Sequence, residues 1–472
     1  MKFKTVIGLE VHLQLNTHTK IFCACAMRFG VSPNSQVCPV CLGLPGSLPV
    51  LNNKVLNKAV KLCLALDCQI AKEIRFDRKN YFYPDLPKGY QISQYDKPVG
   101  SNGKLNGIGI TRIHLEEDAG KLIHNPEGSL VDYNRAGTPL LEIVSEPDIQ
   151  NPKQAYDYLS ALKSISEYLE VSDCNMEEGS LRCDANISIS PIHSEELGVK
   201  IEIKNMNSFR GVQKALEYEE KRQREILNKG EKLSQETRLW DAEKEITLVM
   251  RSKEEANDYR YFPEPDLPCF FISLDMIEEI KKQMPELPQQ RQQRFISQYK
   301  IPEYDAAVLT KEKKMADYFE KCLEFFDKPK TISNWLMRDV LNFLKTEKVS
   351  WDDFSLSPQN FTDLLKFVEV KEISINMGRE VFLEMLKSNK KAKEIIAEKG
   401  LAQVSDEGKL KSIIGKIIIA NSKSVKDFQS GKEKALMFLV GQVMKETKGK
   451  ANAAVVQKLL REECKKSPLV SL

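Results

Sequence analysis

The sequence predicts a multidomain α+β protein: a mixed sheet-and-helix body over residues 1–290, an all-α helical domain over 291–405, and a small basic helical tail domain over 406–472. Three observations predict it. Short alternating runs rich in β-branched residues, separated by Gly, Pro and Asn turns, fill roughly the first 270 residues. After the Pro-rich stretch YFPEPDLP (261–268) those runs give way to amphipathic helical spacing. Near Gly400 the composition turns strongly basic. A chain of 472 residues also exceeds what one hydrophobic core supports, so several domains are expected.

Taken in order, the start MKFKTVIGLEVHLQL alternates apolar and polar residues, and Glu10 and His12 interrupt any apolar run of the kind a secretory signal needs. It reads as a strand. Helical spacing follows at 53–67, 152–170 and 211–229, and two further strands at 181–190 and 199–209. Beyond residue 270 the expected helices are 274–284, 287–299, 311–325, 331–344 and 359–369, then 409–420 and 433–447 in the basic end. No run of about 18 apolar residues occurs, so no membrane span is expected. Eleven cysteines, an odd number with no signal peptide, argue for a reducing, cytoplasmic setting rather than a disulfide framework.

The net charge of +3 is unevenly placed. Residues 401–472 hold thirteen Lys and one Arg against seven acids, a net of +7, which leaves −4 for the rest. A basic end on an acidic body suits contact with a polyanion, because Lys and Arg on phosphates release counterions. A lysine-rich helical domain kept soluble by its charge reads equally well.

Four groups of residues could carry chemistry. Cys23 and Cys25, then after a twelve-residue gap Cys38 and Cys41, form a C-x-C and C-x-x-C arrangement. Such short spacings bring two thiolate pairs onto one tetrahedral zinc, and four thiolates leave no open position, so the role would be structural. Four unrelated buried thiols are the other reading. Glu10 and His12, two apart in a strand, point to one sheet face. Glu116 in RIHLEEDAGK and Glu142 in TPLLEIVSEPD stand where apolar residues would ordinarily sit, and a charge there is costly unless paired or ligating a cation. Together they would suit a divalent ion used in phosphoryl chemistry, with His12 a weak ligand or an orienting group, since Mg²⁺ prefers oxygen. Surface salt bridges are the plainer explanation. Arg78 and Lys79, beside the aromatics of FDRKNYFYPDLPKGYQ, could contact phosphate or form an ordinary basic turn; no Walker A sequence or GxGxxG is present. Finally, Arg182, Asp184 and Asn186 lie along one strand, and Glu202, Lys204 and Asn207 along the next, giving either a substrate-reading face or a solvated one. No nucleophile elbow, Ser-rich amidase loop or Cys-His pair is evident, so ammonia would have to come from elsewhere.

The segments VIGLEVHLQL, FDRKNYFYPDLPKGYQIS, RIHLEEDAGK, DYNRAGTPLLEIVSEPDI, EEGSLRCDANISI, EIKNMNSF, LEYEEKRQ, QETRLWD and DYRYFPEPDLP, in this order over roughly residues 5–270, closely resemble the B subunits of aspartyl/glutamyl-tRNA(Asn/Gln) amidotransferases, the GatB family. The helical remainder is similar too, with ANAAVVQKLL resembling that family's tRNA-contacting tail. The resemblance implies a cradle-like first domain with a glutamine synthetase-like kinase site. It implies an ATP- and Mg²⁺-dependent ligase that phosphorylates the side-chain carboxylate of Glu-tRNA(Gln) or Asp-tRNA(Asn), followed by amidation to Gln-tRNA(Gln) or Asn-tRNA(Asn) for translation. It also implies a heterotrimer in which an amidase partner releases ammonia from glutamine and a small third partner braces the assembly. Glu10, His12, Glu116 and Glu142 match positions that the family uses around its Mg²⁺. Two other readings remain: a stand-alone amide ligase on a small acid, which has no use for a basic tail, and a non-catalytic tRNA-binding adaptor, which leaves the acids unexplained.

Overall fold

The computed structural model describes residues 2–252, 259–401, 407–447, 451 and 453–466. Asp258, which heads the last of the segments above, and residues 406, 448–450, 452 and 467–472 of the expected tail lie outside the described residues. The chain divides into two units, Met1–Gln290 and Arg291–Leu472.

Among its described residues the first unit has sixteen strands: β1 (Phe3–Gln14), β2 (Gln69–Ile70), β3 (Glu73–Ile74), β4 (Asp77–Asn80), β5 (Tyr90–Ser93), β6 (Gly100–Leu105), β7 (Ile108–Glu117), β8 (Lys121–Asn125), β9 (Gly128–Asp132), β10 (Pro139–Ser145), β11 (Leu181–Pro191), β12 (Ile201–Met206), β13 (Glu236–Asp241), β14 (Ile246–Ser252), β15 (Arg260–Pro263) and β16 (Phe270–Phe271). Nine of them form one sheet in the order β14-β13-β12-β11-β1-β10-β7-β6-β2. All neighbours are antiparallel except β12 and β13. β1 sits in the middle of this sheet and alternates strictly: Ile7, Leu9, Val11 and Leu13 are buried on one face, while Glu10, His12 and Gln14 stand half-buried on the other.

Three helices cover the apolar face: α1 (Asn53–Ala65), α2 (Pro152–Tyr168) and α3 (Phe209–Asn228). Each begins where the sequence supplies a cap. Asn52, Asn151 and Ser208 accept from the N–H groups of Lys54, Gln154 and Gly211, satisfying donors that the first helical turn leaves open. One continuous core results, built from β1, β7, β10 and β11 below and Val55, Leu62, Leu159, Leu162, Val212 and Leu216 above. Hydrophobic burial is therefore concentrated on one side of the sheet, and the opposite face is free to carry polar groups. On that second side lies the three-stranded sheet β15-β4-β5, with β5 against β7.

In the second unit the named elements are all helices, organised around two separate cores, one from Phe295 to Leu401 and one from Leu410 to Cys464. The helix expected over 331–344 is not one α-helix. It runs as Pro329–Trp335, a π-helical turn Leu336–Val340, and Leu341–Glu347, and the Leu341 N–H donates to Leu336 O, five residues back. Such a shift inserts one residue without ending the helix, so hydrophobic spacing alone does not reveal it. Among the described residues no helix is long and apolar enough to cross a membrane.

Candidate active site

The polar face of the nine-stranded sheet is laid out by strand register. His12 on β1 stands beside Glu142 on β10 and Arg182 on β11, and Glu142 stands beside His114 on β7. Two residues along β7, Glu116 joins the same patch, because residues i and i+2 share a face. Sequence separations of more than a hundred residues thus collapse into one cluster.

At its centre the His12 Nε2 lies 3.3 Å from Glu116 Oε1 and 3.5 Å from Glu142 Oε2. His114 Nε2 is 3.2 Å from Glu142 Oε2 and 3.9 Å from Glu116 Oε2. Ser93 Oγ donates to Glu116 at 3.4 Å. Burial alone would keep the His12 imidazole neutral, but the two carboxylates outweigh it and push its pKa up to about 10. Burial in the same way opposes ionisation of Glu116 and Glu142, yet the imidazoles beside them hold both below the ordinary carboxylate range. One ligand atom each from His12, Glu116 and Glu142 lies within 4.8 Å of the others. Two carboxylates and an imidazole converging on one point have the donor set and the spacing to hold a divalent cation, with positions left open for water or phosphate oxygens.

Glu10, two residues before His12, is not part of that convergence. Its Oε1 accepts from Asn186 Nδ2 at 2.9 Å, one strand over. The remaining polar residues extend the face away from that cluster. Lys204 pairs with Asp184 at 2.5 Å and Glu202 at 3.0 Å, Thr237 donates to Glu202, and Arg182 pairs with Asp118 at 3.0 Å.

Arg78 and Lys79, adjacent on β4, point to opposite faces of the three-stranded sheet. The Lys79 ammonium lies 4.7 Å from the centre of the Tyr259 ring. Burial opposes its charge, but Glu116, Tyr261 and Glu142 outweigh that and raise its pKa. Lys79 therefore sits, protonated, in the field of the Glu116 and Glu142 carboxylates. Arg78 forms a bidentate pair with Glu264 at 2.8 Å, a further contact with Asp266 at 3.0 Å, and stacks on Tyr90. Its charge is matched within the protein.

Two residues not singled out from sequence join the site. His114 is almost fully buried and its Nδ1 has no hydrogen-bond partner, and Arg112 has a buried Nε with none. Arg112 lies near the Tyr261 hydroxyl, which also feels Lys79, Glu142 and Glu116, so a second cation flanks the cluster. The available signal was the i, i+2 spacing of Arg112, His114 and Glu116 along RIHLEEDAGK, the same spacing that drew attention to Glu10 and His12.

In the loop between β1 and α1, the sulfurs of Cys23, Cys25, Cys38 and Cys41 all lie within 4.8 Å of one another. Tetrahedral zinc–thiolate sites place sulfurs about 3.8 Å apart, so the quartet fits. The Cys38 N–H points at Cys41 Sγ at 3.2 Å, and the fully buried Lys20 puts its Nζ 3.6 Å from the same sulfur. Donation from the Cys23 thiol, with help from the Cys38 N–H and Lys20 and against the cost of burial, holds Cys41 at about 4, and the same contact pushes Cys23 up.

Comparison with known proteins shows the family. Residues 5–278 match the family model described as the GatB/GatE catalytic domain, and residues 317–464 the model described as the GatB domain. The chain is 57% identical to the aspartyl/glutamyl-tRNA(Asn/Gln) amidotransferase B subunit of Caldanaerobacter subterraneus subsp. tengcongensis, over 99% of this chain and 100% of that one. The protein of the same description in Thermoanaerobacter pseudethanolicus is 56% identical over the same shares, and that of Thermodesulfovibrio yellowstonii 54% identical over 98% and 99%.

Proposed function

The chain belongs to the family of aspartyl/glutamyl-tRNA(Asn/Gln) amidotransferase B subunits, and from that premise we propose that His12, Glu116 and Glu142 hold the magnesium of its ATP-dependent step while Lys79 and Arg112 grip the phosphates. As a member it is a subunit of an ATP-dependent ligase that forms Gln-tRNA(Gln) or Asn-tRNA(Asn). The observation that carries the site reading is the convergence of one imidazole and two buried carboxylates with two cations at their edge.

In the reaction so read, an oxygen of the substrate's side-chain carboxylate attacks the γ-phosphorus of ATP, the bond to the β-phosphate oxygen breaks, and ADP leaves. Ammonia then adds to the acyl carbon, loses a proton, and inorganic phosphate departs with the oxygen that linked it. The substrate supplies its own nucleophile, so the protein needs only to position and to stabilise charge. Bound magnesium would neutralise the phosphate oxygens as charge moves onto ADP. Lys79 and Arg112 do the same from the protein side, as fixed cations in a partly dry site. His114 and Ser93 keep the two carboxylates oriented.

The polar sheet face serves as the cradle, with a glutamine synthetase-like kinase site on it. Ammonia reaches it from an amidase partner in a heterotrimer completed by a small third partner. The helices from residue 406 onward, rich in exposed lysine, contact tRNA through phosphate and shape. A structural zinc on the cysteine quartet pins the loop between β1 and α1. The test is ammonium-supported amidation of Glu-tRNA(Gln) by the assembled complex carrying Glu142→Gln. Loss of product formation by on the order of 100-fold or more is expected; wild-type rates would remove the cation reading.

A further inference from the structure

Lys20 is fully buried, yet among the described residues no carboxylate stands within ion-pair distance of its ammonium. We propose that Lys20 is the internal countercharge of the zinc-bound cysteine quartet, and the tie through which bound zinc holds the turn leading into β10. This rests on the zinc reading given above.

A buried ammonium is costly unless an anion and hydrogen-bond acceptors meet it. The Lys20 Nζ donates to Tyr133 O at 3.3 Å and to Cys41 Sγ at 3.6 Å. The acids that line the same cavity are taken: Glu117 by Lys88 and by the Ile92 N–H at 2.9 Å, and Asp266 by Arg78 at 3.0 Å. That leaves the Cys41 sulfur to carry the opposing charge. A neutral thiol would not supply it, whereas a zinc-bound thiolate does. The need is mutual. Four thiolates around one Zn²⁺ leave two negative charges in excess, and Cys41, at 5% exposure, is the most buried of the four, so water screens it least. Among the described residues the N–H groups aimed at its sulfur are those of Lys20 and of the Cys38 backbone, the latter at 3.2 Å. A cation and N–H donors beside a thiolate draw charge off the sulfur and lower the cost of gathering four of them.

The same Nζ also reaches across to another segment. Tyr133 stands in the turn between β9 and β10, and the cysteine loop is laced to that turn at further points. The Ile21 N–H donates to Gly137 O at 3.0 Å, the Gln36 N–H to Asn134 Oδ1 at 2.7 Å, and the Tyr133 N–H to Asn34 Oδ1 at 2.8 Å. β10 begins directly afterwards, at Pro139, and carries Glu142. Lys20 joins this turn to a sulfur of the quartet, so a loop made rigid by zinc braces the strand that presents Glu142 to His12.

The experiment compares the full-length chain as wild type, Lys20→Met and Lys20→Arg. Zinc affinity is read by competition with a chromophoric chelator, the cobalt-substituted quartet by its sulfur-to-metal charge-transfer band, and the turn by amide hydrogen exchange over residues 131–138. Lys20→Met should bind zinc about 10- to 100-fold more weakly. Its cobalt band should move to longer wavelength, because the sulfur keeps more of its charge. Lys20→Arg, which retains a cation, should bind zinc more tightly than Lys20→Met. Exchange over the turn should quicken in Lys20→Met and in chelated wild type alike. Without metal, Lys20→Met should melt no lower than wild type, since an apolar side chain then replaces a buried ammonium. Unchanged zinc affinity in Lys20→Met overturns the proposal, and so does a melting temperature lowered equally with and without zinc, because the side chain would then only fill space. Exchange over the turn that ignores chelation overturns the tie to β10. A wild-type chain that takes up no zinc removes the zinc reading itself, a result distinct from the others.

Discussion

Arg78 and Lys79 are neighbours in sequence with opposite surroundings, and that contrast is the sharpest statement the residues make. The Arg78 guanidinium closes on Glu264, whose side chain is fully buried, so removing it strands a carboxylate inside the protein. Arg78→Met should cost about 3 kcal/mol of stability, read as a lowered melting temperature. Lys79 has no carboxylate within ion-pair reach among the described residues, yet it lies in the field of Glu116 and Glu142. Lys79→Met should melt near wild type but lose on the order of 100-fold in kcat/KM for ATP. Unchanged ATP kinetics in that variant would exclude it from phosphate contact. Both residues were visible in sequence as a basic pair beside aromatics. Nothing local could say which faced the acids, because that depends on β4 pairing with β5 and with β15, which lies some 180 residues further on.

At the scale of elements, what was legible is what alternation and capping encode. β1 and β11 followed from period-two patterning, and α2 from its helical apolar spacing. The order of strands did not, since a polar alternating face carries no address for its neighbour; the parallel pairing of β12 with β13 is the clearest instance. The cysteine loop was legible from spacing because two turns of fixed length suffice to gather four sulfurs. Zinc bound there would couple the loop to folding. The purified chain should carry one zinc, and Cys38→Ala or prolonged chelation should lower the melting temperature together with the metal content. Metal-free protein that melts unchanged after chelation would show the quartet to be four thiols without that role.

For the whole molecule, the division of labour lies in how charge is distributed. A nearly neutral chain carries its acidic excess over residues 1–290, where two of the acids gather at His12, and its excess lysines at the end, where Lys416, Lys423 and Lys426 are exposed. In the function proposed above, this subunit activates the side-chain carboxylate of the substrate with ATP. That activation is the central claim. It is tested most directly by following oxygen: Glu-tRNA(Gln) labelled with ¹⁸O in its side-chain carboxylate is converted by the complex with ATP and ammonium chloride, and the inorganic phosphate is examined by mass spectrometry. Transfer of one ¹⁸O into phosphate for each glutamine formed is predicted, because the oxygen that attacks phosphorus leaves with it; product formed with unlabelled phosphate would contradict the account.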